Sequence, residues 1–553
     1  MGERVERSSL YQAYRGPEVL TYKQPMTLSD LVYKALGERL EPPKGEPTPE
    51  LNVQVTGIAQ DHRRIEPGMV FVARRGSAVD AHRFIRLAIE SGAAAVVGEK
   101  TLGPVLPWRR VPYIQVEDDK VALAKLAATF YEHPSQSLTT FGVTGTDGKT
   151  TVSYLLHHLL QADEQVSTET ASASEDKAGL ISTAAAKVGR NTLDLAGHFT
   201  TPEATDVQRL LATFRDEGCK YAVVESSSHG FALHRLDEVR YDIGIWTNLS
   251  PEHLDFHGSL AAYRDAKLNL VRRAQLSILN RDDAAFGAFR DAAQAEGHKV
   301  VSYGGHPDSD WRADDLVTSP GAQAFTVYAK TDKGQVARRV HLPMVGRYNV
   351  SNALAALAAA HLAGVPLDVL ARRLEGFGGV PGRMQVVRRG PVSAVVDFAH
   401  TPPALQKVLR TLRTVTSGRL IVVVGAAGER DPGKRLPLGE TAMREADLCI
   451  FTEEDSRSED INEILATLAR GAVQAGGKAA ETYWCIPDRR EAIRVAVATA
   501  AAGDTVVFAG KGHERTLERA AQTLPWDEVA EVEQALTRVK KDVKVQKMAK
   551  TGG

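Results

Sequence analysis

Short, continuous apolar runs recur along this chain, separated by longer stretches with helical character. Near the start, a helix candidate precedes the Pro/Glu-rich stretch Glu41–Glu50. Strand candidates follow at Val53–Ala59, Met69–Ala73 (MVFVA) and Ala93–Gly98, with a helix ending near Glu90 between the last two. This alternation predicts a small α/β domain. A second group begins with the strand Thr139–Val143 and includes Tyr221–Val224 (YAVV) and Ile243–Thr247 (IGIWT), each running into polar residues. Ligands of open α/β sheets collect beyond the carboxyl ends of strands, which draws attention to those residues. Residues 299–342 carry period-two stretches and predict a β-rich excursion before a helix over Ser351–Ala363. In the last third, Val392–Val396, Leu420–Val424, Leu448–Thr452 and Thr505–Ala509 are unbroken apolar runs, the pattern of parallel strands buried on both faces.

The expected fold is therefore α/β in three domains, with a central P-loop ATPase-like parallel sheet and a C-terminal Rossmann-like domain. The boundaries fall at 27–137, 138–378 and 379–536, between a polar extension (1–26) and a basic tail (537–553). A length of 553 residues agrees with three domains. The formal net charge of −1 gives no electrostatic case for nucleic acid or an anionic membrane surface. Cys219, Cys449 and Cys485 are too scattered for a disulfide framework or a structural zinc site. No apolar core of a signal peptide and no membrane-length apolar window is found, so the cytoplasm is the expected compartment.

The strand ending at Val143 leads into Gly142-Val-Thr-Gly145-Thr146-Asp147-Gly148-Lys149-Thr150-Thr151 and then a helix candidate, Thr151–Leu160. Glycines let backbone amides fold around phosphates, and the helix N-terminus adds positive potential. Lys149 would reach the β/γ-phosphates and the Thr150 hydroxyl would face Mg²⁺. Val143 stands where the strict Walker pattern has Gly, so the loop is a variant; the plainer alternative is a Gly-rich turn with an incidental lysine.

Beyond the next strands come Glu225-Ser-Ser-Ser-His229-Gly230 and Thr247-Asn-Leu-Ser-Pro-Glu-His253-Leu-Asp255, then Lys267 on a helix candidate. Singly, such a Glu is often a solvated turn residue and such a His a structural hydrogen-bond partner. Together, beside a phosphate loop, they offer hard oxygen and imidazole ligands for Mg²⁺.

With these residues in order, the chain resembles the Mur ligase family, and within it the ligases acting on UDP-N-acetylmuramoyl-L-alanyl-D-glutamate. The resemblance runs from about residue 53 to 517. It includes GTDGKTT, Thr200-Thr201-Pro202, ESSSHG, TNLSPEHLDFH, Asn280–Asp283, Gly346–Asn349, Pro381–Arg383, Asp397–Pro402, Gly428–Asp431, Lys434-Arg435 and Gly510–Glu514. It implies an N-terminal UDP-binding domain, a central ATPase domain and a C-terminal domain for the incoming amino acid. It also implies ATP-dependent formation of an acyl phosphate on UDP-MurNAc-dipeptide, followed by attack of a diamino acid amine, in peptidoglycan synthesis. On this resemblance Lys149, Lys267 and His253 are catalytic. Thr150, Glu225, His253 and Lys267 (as N6-carboxylysine) hold Mg²⁺. Gly145–Thr151, Asn280, Asp283, Asn349 and Arg383 meet ATP. Thr200, Thr201, Ser227 and Arg235 meet the muramoyl-dipeptide, His400 is a further substrate contact, and Arg430, Glu454, Asp455, Arg457, Gly510 and Glu514 meet the amino acid. His400 fits a structural histidine equally well, and Lys267 read alone is an ordinary helix-surface lysine. A monomer is the expected state.

Four positions depart from the family pattern. Asp147 stands for Asn, His62 for the Ser of an Asp-Ser-Arg motif, Leu233 for a common Gln, and Glu454-Asp455-Ser456-Arg457 for Asp-Asn-Pro-Arg. Asp147 would repel triphosphate unless a cation compensates. Asp455 favours a side chain ending in an amine, such as lysine or ornithine, over meso-diaminopimelate, unless it merely pairs with Arg457. A folylpolyglutamate or cyanophycin synthetase is opposed by SSSHG, HTP and the α/β domain preceding the loop. A non-catalytic scaffold is opposed by the retained Lys149, Glu225, His253 and Lys267.

Overall fold

The computed structural model describes residues 26–39, 51–76, 79–101, 111–162, 177–193, 200–319, 321–331, 334–388, 391–520 and 522–538. The expected extension (1–26) and basic tail (537–553) lie almost wholly outside these residues. The chain forms two compact units. One comprises residues 1–149, 160–279 and 285–300; the other comprises 150–159, 280–284 and 301–553.

The first unit opens with an all-parallel sheet ordered Gly57–Ala59, Met69–Ala73, Ala95–Gly98, Tyr113–Gln115. The apolar run expected over Val53–Ala59 yields only three residues of this sheet. The Val55 N–H donates to the Met26 carbonyl, and the Val53 carbonyl accepts from the Leu28 N–H, so the front of the run pairs with the chain entering helix Leu28–Leu36. That helix and helix Asp119–Phe130 bury Leu28, Leu31, Leu123 and Leu126 against Val70, Val72 and Val97.

The same unit contains seven neighbouring strands, ordered Leu276–Asn280 (up to Leu279 in this unit), Ile243–Trp246, Thr139–Thr144, Tyr221–Glu225, Ala178–Ile181, Ala186–Val188, Asn191–Leu193. The first five are parallel and the last two are antiparallel additions. The Thr139–Thr144 strand lies between the two strands that end at Glu225 and Trp246. Their carboxyl ends therefore deliver Gly145, Glu225 and Thr247 side by side. Gly142 is required here by packing, since a Cβ at this position would lie 2.3 Å from Leu270 Cδ1.

In the second unit the expected β-rich excursion is the antiparallel set Trp311–Ser319, Ala322–Thr331, Gly334–Leu342, which precedes helix Arg347–Leu362. The last third forms a sheet ordered Gln385–Arg388, Ser393–Asp397, Thr505–Ala509, Leu420–Val424, Leu448–Phe451, Tyr483–Cys485. Its first strand is antiparallel and the rest are parallel. The apolar runs at 420–424 and 505–509 are fully buried strands, as their continuous hydrophobicity predicts. No helix among the described residues is long and apolar enough to cross a membrane.

Candidate active site

The phosphate loop is fixed by the neighbouring strand end rather than by its own side chains. The Thr146 N–H donates to the Asn248 carbonyl (2.9 Å), and the Asp147 N–H to Asn248 Oδ1 (2.9 Å). The Asp147 carbonyl accepts from Thr247 Oγ1 (2.6 Å) and Asn248 Nδ2 (3.0 Å). Thr146 Oγ1 and Ser250 bond reciprocally. Gly145 has φ +146°, and a Cβ there would lie 1.8 Å from Thr247 Oγ1, so no larger residue fits. The helix Lys149–Leu159 begins where the loop ends and carries Thr150 and Thr151 in its first turn. Asp147, the departure from the family pattern, holds the loop through its backbone while its side chain is exposed to solvent.

Two amines meet one carbonyl oxygen in this loop. Lys149 Nζ lies 3.0 Å from the Gly145 oxygen and 2.7 Å from the Thr146 oxygen. Lys267 Nζ, carried by helix Leu260–Arg273, lies 2.5 Å from the same Gly145 oxygen and over the Tyr263 ring. Lys267 is 1% exposed, so it is a core residue and not a helix-surface lysine. Burial first, and the Lys149 ammonium second, push its pKa well below the usual lysine value.

Glu225 ends its strand buried, with its carboxylate oxygens accepting from the Thr183 N–H (2.9 Å) and Thr183 Oγ1 (3.0 Å). Thr183 was invisible to motif reading because it follows a short strand with no signature of its own. His253 has φ +54° and lies in a ring cluster with His229 and Tyr263. Burial, with His253 and His257 next, lowers the His229 pKa to about 4. His229 is thus a neutral ring at ordinary pH.

Of the expected substrate residues, Thr201, Ser227 and Arg235 form one buried knot, and His400 belongs to the other unit. Thr201 Oγ1 donates to the Glu225 carbonyl (3.0 Å) and accepts from the Ser227 N–H (3.1 Å). Arg235 donates to the Thr201 carbonyl (2.9 Å) and to Glu203, which also pairs with Arg74 at 2.6 Å. Glu203 is a residue the motifs did not single out. Thr200 precedes this knot, and Leu233 is half-buried at the cap of the short helix Ser228–Ala232. In the Asp61-His62-Arg63 turn, Arg63 pairs with Asp61 at 2.6 Å and His62 stacks on Phe84 at 4.2 Å. Glu99, Asp118 and Asp119 form the one group of three close acids found among the described residues. Their oxygens cap the helix at Asp118 and accept the Asp119 and Arg75 N–H groups.

In the second unit, Asn280 Oδ1 accepts the Asp282 N–H (3.0 Å), and Asp282 caps Gly305 (2.6 Å) and His306 (2.9 Å). Asp283 is the half-buried acid of that turn. Asn349 is buried and donates to the Val345 carbonyl (2.8 Å). Arg383 lies over Phe398 at 4.4 Å, and His400 Nδ1 is 3.0 Å from the Phe398 carbonyl. Asp397, its pKa raised by burial, accepts the Met384 (2.6 Å) and Ala399 (2.8 Å) N–H groups.

The amino-acid residues lie around a buried lysine. Lys511 Nζ is 2.8 Å from Asp455 Oδ1 and 2.6 Å from Glu514 Oε2. Burial works against its ammonium, but Glu514 and Asp455 outweigh it and raise the pKa. Asp455 therefore pairs with Lys511, not with Arg457 as one sequence reading allowed. Arg457 instead pairs with Glu518 at 2.8 Å. Glu454 is buried with Oε2 bonded to nothing, facing Gly510, where a Cβ would lie 3.1 Å away. Burial raises its pKa. Arg430 is exposed.

Three family models match in order: the Mur ligase family catalytic domain over residues 54–131, the Mur ligase middle domain over 143–360 and the Mur ligase glutamate ligase domain over 382–512. The UDP-N-acetylmuramyl-tripeptide synthetase of Deinococcus radiodurans is 44% identical, over 92% of this chain and 99% of that protein. The UDP-N-acetylmuramoyl-L-alanyl-D-glutamate–2,6-diaminopimelate ligase of Streptomyces avermitilis is 37% identical, over 92% and 97%. A solved structure of a ligase with the latter name superposes with a TM-score of 0.62 at 30% identity, covering 93% of this chain and 99% of the other. The MurF ligase of Thermotoga maritima, solved with ADP, shares the fold at a TM-score of 0.59 and 20% identity, over 88% and 98%. With a phosphate loop, two converging amines and near full-length relatives of these names, the chain belongs to the Mur ligase family.

Proposed function

We propose that this chain is an ATP-dependent ligase that joins a diamino acid to UDP-N-acetylmuramoyl-L-alanyl-D-glutamate, through an acyl phosphate, in peptidoglycan precursor synthesis. The observation that carries the reading is the convergence of Lys149 and the buried Lys267 on the Gly145 carbonyl of the phosphate loop. A carboxylate is a poor electrophile, and phosphorylation supplies its leaving group. The loop's task is then positioning and charge neutralisation.

Lys149 turns from the loop carbonyls to the β/γ-phosphates when ATP binds. Gly145–Thr151 cradle the phosphates, while Asn280, Asp283, Asn349 and Arg383 meet the nucleoside. Thr200, Thr201, Ser227 and Arg235 hold the muramoyl-dipeptide, and His400 is a further substrate contact. Arg430, Glu454, Asp455, Arg457, Gly510 and Glu514 receive the amino acid.

The residues present fit Mg²⁺: Glu225 brings a buried carboxylate, His253 an imidazole and Thr150 a hydroxyl. Bound there, the ion would neutralise charge on the transferring phosphoryl group. Burial lowers the Lys267 pKa and so favours its neutral, nucleophilic form, which adds to CO₂ with release of a proton to yield an anionic carbamate suited to the same ion. The domain reading is 27–137 for the UDP end, 138–378 for ATP and 379–536 for the amino acid. A monomer in the cytoplasm is part of the same reading.

Phosphate release from ATP tests it. Release should require UDP-MurNAc-dipeptide and one of meso-diaminopimelate, L-lysine or L-ornithine together, and Lys149→Ala should lower it by about 10²-fold or more. Release that ignores all three amino acids, or that survives in the variant, would defeat the reading.

A further inference from the structure

Glu518 lies in the hairpin Thr516–Arg519/Gln522–Pro525, outside every motif noted above. The hairpin is bonded to the Glu454–Arg457 loop along its backbone. The Glu518 N–H donates to Asp455 Oδ1 (3.0 Å), the Arg457 N–H to the Glu518 carbonyl (3.1 Å) and the Ala520 N–H to the Arg457 carbonyl (2.5 Å). Arg457 itself has φ +50°, in the left-handed region. Its Nε then donates to Glu518 Oε2 (2.8 Å) and its Nη1 to the Gly428 carbonyl (2.7 Å).

A guanidinium grips a second carboxylate best through two parallel bonds from one edge. Nε belongs to one edge and Nη1 to the other, so each edge of Arg457 already has a nitrogen engaged. Its charge is also answered by Glu518. Around the same loop, Lys511 is shared by Asp455 and Glu514, and Glu454 Oε2 has no partner. Asp455, Glu514 and Glu518 thus take up Lys511 and Arg457, while Lys434 and Arg489 act on Glu454 from further away. Such a site welcomes an ammonium and repels a further carboxylate. Arg430, exposed and with no ion pair among the described residues, is left for a single carboxylate.

We propose that Glu518 is a specificity-determining residue: by occupying Arg457 it sets the amino-acid site for a diamino acid with one carboxylate and a terminal amine, against one with a carboxylate at each end. This rests on the ligase reading above. It assigns the choice of substrate to an acid that acts through Arg457, while Asp455, the sequence departure first suspected, is held by Lys511.

The test compares kcat/KM for L-lysine, L-ornithine and meso-diaminopimelate in the wild type and Glu518→Gln, which keeps the hairpin backbone and removes the charge. The wild type should favour a monocarboxylate by at least about tenfold, and Glu518→Gln should shrink that ratio about tenfold, mainly through a lower KM for meso-diaminopimelate. Calorimetric binding of the same amino acids, with UDP-MurNAc-dipeptide and a non-hydrolysable ATP analogue present, reads the preference without turnover. Failure of the ligase reading therefore appears as absent phosphate release, while the binding ratio still decides the role of Glu518. The proposal is overturned by a wild type that prefers meso-diaminopimelate, by an unchanged ratio in the variant, or by no binding of any of the three. A folded variant that has lost all three equally also overturns it, since Glu518 then serves the site as a whole.

Discussion

Two lysines are buried among the described residues, and their surroundings are opposite. Lys511, in the second unit, lies between Asp455 and Glu514 and is held as a cation. Lys267, in the first, has no carboxylate at ion-pair distance among the described residues; it has the Gly145 carbonyl, an aromatic face and a second lysine acting on it. Burial penalises both ammonium groups alike, so the partners decide the outcome. With two carboxylates in contact a buried lysine is held as a structural charge, and with none in contact its ammonium is disfavoured.

Lys267→Arg should break this contrast with the largest effect. A guanidinium keeps its charge at every working pH, so it cannot take the place of a neutral amine. Phosphate release should fall by about 10³-fold, near the upper range for one lost electrostatic group. A variant with near wild-type turnover would show that the amine is not needed. The pH sense follows from the lowered pKa: the neutral form persists to lower pH than in a free lysine and is lost as pH falls through the folded value. A ¹³C-carbamate resonance from labelled CO₂ should therefore weaken on acidification and be missing in Lys267→Arg.

Lys511→Met should come next. It leaves the buried Asp455 and the half-buried Glu514 without their cation, and broken buried pairs lose about 3–5 kcal/mol. Urea unfolding at neutral pH reads this directly. A loss under about 1 kcal/mol would mean that water or a neighbouring group replaces the ammonium easily.

Asp147→Asn should be the smallest change. Its backbone makes the loop bonds, its carboxylate is exposed, and its pull on Lys267 ranks behind burial, Lys149 and Glu252. Phosphate release should move by less than about threefold, as expected of a surface substitution. A larger shift would mean that this carboxylate helps set the amine.

Much of this was legible in the sequence because it is local. Continuous apolar runs such as 420–424 and 505–509 became strands within a residue of their expected bounds, and Lys149 sits where its motif puts it. The run over Val53–Ala59 misled because half of it pairs with residue 26 and helix Leu28–Leu36 instead of the sheet. Partners distant in sequence were equally hidden. In the sequence Asp455 stands two residues from Arg457, but its cation is Lys511, and the acid that takes Arg457 comes from a hairpin without signature. Likewise Thr183 reaches Glu225 from a separate strand end. Motifs report which groups are present; the closing of the chain decides which charges answer one another.

The bonds from Thr247, Asn248 and Ser250 to the phosphate loop carry a consequence for affinity. A glycine-rich segment is the costliest backbone to immobilise. Here its disorder is surrendered when the protein folds, since the neighbouring strand end already holds each turn of the loop. A nucleotide arriving at such a surface loses its own freedom of movement but imposes little further ordering on the chain, which is preorganisation built from main-chain bonds.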